Sequence, residues 1–182
     1  MALKATIFKA KINIADMDRH YYHEHNLTIA RHPSETDERM MVRLAAFIIS
    51  AEEHLQLTKG LSNDDEPDLW ERSLSDEIIH WIDLGMPDEK RIRKACGRAQ
   101  KVTIVCYGGN TAEHWFEKNA NMLQRFKNLT IVNITCEETQ SLRAFTQRTM
   151  HLQCSIQDEQ LYGSSDHSSA TLTPTYTHRR YY

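Results

Sequence analysis

No apolar run in this sequence approaches the ~20 residues that a membrane-spanning helix requires. The opening stretch, MALKATIFKA, lacks the apolar core and small-residue cleavage site of a secretory signal, so no leader is expected. CxxC pairs are absent. The four cysteines, Cys96, Cys106, Cys136 and Cys154, are widely spaced and read as free, buried thiols in a reducing cytoplasm. A phosphate-cradling glycine loop is also missing. The nearest approach, YGGN at Tyr107–Asn110, reads as a strand-to-helix turn. There is no GxSxG elbow for a serine hydrolase, no internal repeat and no long low-complexity segment. Positive charge is not in excess. A net charge of −3 excludes a protein coated in basic residues but allows a local basic patch.

What is present suits one globular domain over residues 1–182, with 40% hydrophobic and 26% charged residues. Alternation over 3–15 and 21–30 predicts a hairpin. HPSETDERMMVRLAAFIISAEEHL predicts a helix with Ser34 as N-cap and an apolar stripe of Met41, Leu44, Ala45, Ile48 and Leu55. LQLTKGL reads as a short strand and IIHWIDLG as a strand ended by Gly85. Pro87 at a first helical position, followed by Asp88 and Glu89, opens a second helix with Ile92, Ala95, Cys96 and Ala99 inward. KVTIVCY and NLTIVNI read as buried strands, TAEHWFEKNANMLQRF and CEETQSLRAFTQ as helices, and three closing strands follow. The tail THRRYY reads as peripheral. Helical crossovers favour parallel pairing, so the middle of the chain predicts a partly parallel sheet, made mixed by its flanking hairpins.

One strand carries an acid. In IIHWIDLG, Ile79, Trp81 and Asp83 share a face, while His80, Ile82 and Leu84 share the other. A buried carboxylate needs donors, an arginine or a metal. A second acid, Asp68, follows Pro67, where Pro–Asp is also a common turn. Glu38 sits on the margin of the first helix's stripe, while Glu35 is explained by the helix dipole. The segment EKRIRKACGRAQK holds six cations: Lys90, Arg91, Arg93, Lys94, Arg98 and Lys101. It is either a solvated helix face or the patch a phosphate backbone would contact. Near the first hairpin His23 and His25 share a strand face, a possible Zn2+ pair but more simply two polar positions.

The phrases MALKATIFKA, ARHPSETDERMMVRL, DDEPDLW, WIDLGMPDEKRIRKAC and RTMHLQCSIQD resemble the YaeQ family of bacterial proteins over nearly the whole chain, in the family's order. The resemblance implies an α+β fold: a mixed β-sheet flanked by helices, a variant of the PD-(D/E)XK restriction-endonuclease-like core with extra hairpin strands. It places the PD element at Pro67–Asp68 and the (D/E)XK element at Asp83–Leu84–Gly85. Glycine thus stands where that pattern has lysine. Seven helical residues span roughly 10 Å, about three strand residues, which brings Lys94 level with Asp83. Arg91 has the better azimuth. The implied activity is a nuclease-like phosphodiesterase using Mg2+ or Mn2+, with Asp68, Asp83 and Glu38 as metal ligands and Lys94 or Arg91 as the catalytic cation. The alternative is a non-catalytic module on a degenerate nuclease fold. It would bind nucleic acid through the Lys90–Lys101 basic helix, or a protein. The expected location is cytoplasmic, without a membrane partner.

Overall fold

The computed structural model describes residues 3–59 and 63–178. The end of the LQLTKGL segment and the last residues of THRRYY lie outside them. Two β-sheets form the frame. The first holds β1 (Thr6–Asp16), β2 (Tyr21–Arg31), β8 (Thr149–Gln157), β9 (Gln160–Ser164) and β10 (Ser169–Leu172), in the order β10-β9-β8-β1-β2. The second holds β3 (Leu55–Leu57), β4 (Leu69–Arg72), β5 (Ile78–Leu84), β6 (Ala99–Tyr107), β7 (Leu129–Ile134) and β11 (Thr175–His178), in the order β11-β7-β6-β5-β4-β3. Four helices complete the described residues: α1 (Asp37–Ile49), α2 (Glu89–Arg98), α3 (Asn110–Leu123) and α4 (Cys136–Arg143). The fold is therefore α+β.

The expectation of one mixed sheet is corrected to two, each of them mixed. Strands β5, β6 and β7 run parallel, joined through α2 and α3, as the alternation of strand and helix predicts. Both closing hairpins and the first hairpin leave this sheet. They assemble around β1, which is antiparallel to β2 and parallel to β8. After Pro67–Asp68 the sequence leaves turn and strand open, and the structure places strand β4 there. It is four residues long, LWER, and shows no clear alternation.

The sandwich position of α1 decides several local features. Every residue from Met40 to Ile48 is buried, Arg43 included, so the predicted single stripe becomes a helix buried all round. Its core cluster includes Ile12 and Leu152 of the first sheet and Ile82, Val105 and Val132 of the second. A second cluster on the far face of the second sheet joins Trp81, Ile104 and Ile131 to Ile92 and Ala95 of α2 and Leu123 of α3. As strand alternation requires, Trp81 faces that second core while Ile82 and Leu84 face the first.

Two helix starts differ from expectation. Thr36, not Ser34, caps α1: its hydroxyl accepts from the Arg39 N–H at 3.1 Å. Ser34 instead hydrogen-bonds the His32 ring at 2.6 Å. In α2 the cap is Asp88, which accepts from the Arg91 N–H at 2.8 Å, so Pro87 precedes the cap rather than following it. The cysteines are free, but Cys136 is exposed and Cys96 half-buried, so burial holds only for Cys106 and Cys154.

Candidate functional site

The carboxyl ends of parallel strands are where open α/β sheets place ligands, and the conspicuous acids gather at that end of β5. Asp83 is 2% exposed. Its Oδ1 accepts from Arg91 Nη2 at 2.9 Å and its Oδ2 from Arg91 Nε at 2.8 Å. The same Oδ2 takes the Trp81 indole N–H at 2.9 Å. The acid inside the strand is thus held by a guanidinium fork from α2, the geometry in which an arginine–carboxylate pair is strongest. That hydrogen bond, above all, keeps the Arg91 pKa raised.

Asp68 stands beside it, at the entry to β4. Its Oδ2 accepts from the Leu84 N–H at 2.9 Å, next along the strand from Asp83, and its Oδ1 from Arg39 Nη2 at 2.8 Å. Arg39 in turn reaches Glu35 Oε2 at 3.2 Å, and Arg43 Nη2 reaches Glu35 Oε1 at 2.9 Å. Glu35, read from sequence as a partner of the helix dipole, precedes the cap of α1 and is 5% exposed. The available signal was Arg43. It interrupts an apolar run at a position that α1's all-round burial turns inward, where a charge requires a partner.

Glu38 does not join these pairs. It is half-buried and its side chain, among the described residues, makes no hydrogen bond or ion pair. Its charge is felt at Tyr107, the last residue of β6. Burial raises that phenol's pKa; Glu38, Asp68 and Glu35 push the same way and Arg39 opposes them.

The cations of α2 are largely spoken for. Lys94 Nζ donates to Asp65 Oδ1 at 2.5 Å and to the Asp64 carbonyl at 3.0 Å. Arg98 Nη1 donates to the Asp65 carbonyl at 3.1 Å, and Arg91 Nη2 to the Glu66 carbonyl at 3.0 Å. Arg93 pairs with Glu89 on its own helix. The Arg91 and Arg98 guanidiniums also lie 5.8 and 5.6 Å from the centre of the Trp81 ring. Of the two cations expected near Asp83, the structure brings Arg91 to it and sends Lys94 to Asp65.

A divalent ion would want several oxygens free of other partners. Here each oxygen of Asp68 and Asp83 already accepts from an arginine or an N–H group. Among the described residues no three His, Cys, Asp or Glu side chains converge on a metal position. As arranged, this donor set does not fit Mg2+ or Mn2+ unless Arg39 and Arg91 let go. The histidines of β2 are likewise engaged. Tyr21 stacks on His23 with ring centres 4.8 Å apart and hydrogen-bonds His25 Nε2 at 2.7 Å.

A groove of about 670 Å³ lies at the opposite end of the strands, lined among others by Arg19, Glu52, Glu71, His80, Lys101 and Thr103. His80 Nε2 shares a 2.8 Å hydrogen bond with the Thr103 hydroxyl. Burial, aided by Lys101 and Arg19, pushes its pKa down to about 3. Sequence reasoning gave His80 no role.

The sequence profile of the family described as YaeQ protein matches residues 1–174. The chain is 45% identical over 175 residues to the uncharacterized protein YaeQ of Escherichia coli strain K12, covering 96% of this chain and 97% of that one. The corresponding Salmonella typhi protein is 44% identical with the same coverage. Among solved structures, the YaeQ protein of Xanthomonas axonopodis pv. citri is 48% identical, with a TM-score of 0.93 over 95% of this chain and 98% of that one. The YaeQ protein of Pseudomonas syringae is 32% identical, with a TM-score of 0.91 over 97% of both chains.

Proposed function

This chain belongs to the YaeQ family, and from its acid–arginine centre we propose that it is a non-catalytic nucleic-acid-binding module on a degenerate nuclease-like core. The observation that carries this reading is the double hydrogen bond from Arg91 to Asp83. The strand acid serves to fix a cation-bearing helix, not to present free oxygen. From that anchor α2 turns Arg91, Lys94 and Arg98 toward oxygen atoms on its outer side. Such a row is suited to successive phosphates. The glycine at position 85 supports the same reading, because the pattern's lysine is absent.

A Mg2+- or Mn2+-dependent phosphodiesterase is the second reading. Asp68 accepts from the backbone N–H of Leu84, the residue that follows Asp83, which favours it. It requires both carboxylates to exchange arginine for metal, with Glu38 drawn in and Lys94 or Arg91 left to meet phosphate.

The test is binding of labelled DNA and RNA across salt concentrations, with a cleavage assay in Mn2+. Salt-sensitive binding without cleavage is expected. On duplex the slope should be about −0.9 per neutralised phosphate in log affinity against log salt, flattened by about one to two in the Arg91→Ala, Lys94→Ala double variant. Cleavage that Asp83→Ala abolishes would install the enzyme reading instead. If the wild type binds no nucleic acid at low salt, α2 is only a solvated face and a protein partner takes its place.

A further inference from the structure

We infer that residues 63–66, Asn-Asp-Asp-Glu, are a built-in competitor that covers the cationic face of α2 and must be displaced by any polyanion that binds there. This rests on the nucleic-acid reading above and concerns how that face is regulated.

The segment crosses α2 as an exposed turn. Three consecutive main-chain carbonyls, those of Asp64, Asp65 and Glu66, accept from Lys94, Arg98 and Arg91 in that order, at 3.0, 3.1 and 3.0 Å. A row of oxygens on an extended backbone is what a nucleic acid would offer these same side chains. Asp65 adds a full charge, bonded to Lys94 at 2.5 Å. That hydrogen bond, and then the lysine's charge, lower the Asp65 pKa. The Asp64 and Glu66 carboxylates, by contrast, make no hydrogen bond or ion pair among the described residues. Both add negative charge to the segment, and that of Asp64 is felt at Arg91, so they repel an incoming phosphate.

The attachment is lopsided. Downstream, Pro67 and Asp68 are buried; the Pro67 carbonyl accepts from Thr58, and Asp68 is fixed to Leu84 and Arg39. Residues 63–65 are exposed; Asp64 and Asp65 are held by bonds to cations, and the Asn63 Oδ1 accepts from the Asp65 N–H at 2.9 Å. Phosphate oxygens carry more charge than carbonyl oxygens and make stronger hydrogen bonds to the same donors. A polyanion can therefore replace the segment while Asp83 continues to hold Arg91.

The test compares the wild type with a variant carrying Asp64→Asn, Asp65→Asn and Glu66→Gln. A charge-matched control carries Glu53→Gln, Glu113→Gln and Glu117→Gln, all exposed and outside both α2 and the segment. The probe is a fluorescein-labelled DNA duplex of about 20 base pairs, read by anisotropy from about 50 mM to 200 mM salt. The segment variant should bind about tenfold more tightly than the wild type, against less than about threefold for the control, whose charges are screened. Its salt slope should be steeper by about one, because Lys94 now carries a salt counterion that binding releases, where the wild type carries Asp65. Adding Lys94→Ala and Arg98→Ala should erase the gain. Equal gains in variant and control mean a global charge effect and overturn the inference. So does an unchanged segment variant while wild-type binding still depends on Lys94 and Arg98; in that case the nucleic-acid reading survives. If no form binds duplex at low salt, the nucleic-acid reading fails first and takes the inference with it.

Discussion

Gly85 ends β5 with a φ of +93°, in the left-handed region that residues with a side chain avoid. A Cβ there would meet nothing within 4 Å, so backbone conformation, not space, selects glycine. Gly85→Lys, which restores the pattern's lysine, should cost about 1–3 kcal/mol in urea denaturation and bring no Mn2+-dependent cleavage. Gained cleavage would show that the centre needs only a lysine. At this scale the sequence was half legible. The partner of Asp83 was open among other donors, an arginine and a metal; helix azimuth favoured Arg91, and the structure pairs the two. Glu38 was preferred to Glu35 because the first helix was read as one-sided. Sandwiching α1 turns Arg43 inward, and Arg43 calls for Glu35.

Among elements, α2 is held by one carboxylate as well as by its buried residues Ile92 and Ala95. Asp83→Ala would strip Arg91 of its fork and the Trp81 indole N–H of its acceptor. A loss of about 2–4 kcal/mol is expected, since breaking a buried pair leaves a charge uncompensated, and Arg91 is only partly exposed. Hydrogen exchange should accelerate through Glu89–Arg98. In the metal reading the same substitution relieves repulsion between two acids, so a stabilised metal-free variant would reverse this account. Helix existence was legible from periodicity. The cap of α1 was not, because threonine and serine two residues apart offer similar side chains. Strand β4 stayed open against a turn because it is short.

For the whole molecule, His80 makes stability depend on pH. Its folded pKa of about 3 lies below the ordinary 6.5. Between those values the unfolded chain binds a proton that the folded chain refuses, so stability falls as pH drops below about 6.5 and levels off near 3. Urea unfolding from about pH 4 to 7 should show a limiting slope near 1.4 kcal/mol per pH unit from this group, absent in His80→Gln. Equal slopes in both proteins would mean that His80 is protonated in place. The division into two sheets was the least legible feature, because sheet membership depends on partners far apart in sequence. Lys9 through Asp16 align with Thr149 through Ile156. That pairing has a consequence for manufacture. Strand β1 leaves the ribosome early, yet one of its two neighbours is among the last strands to be translated. Until then the first hairpin carries an unsatisfied edge and an uncovered apolar face. The nascent chain must shelter both, and a ribosome stalled before β8 would release an adhesive fragment rather than a smaller working domain.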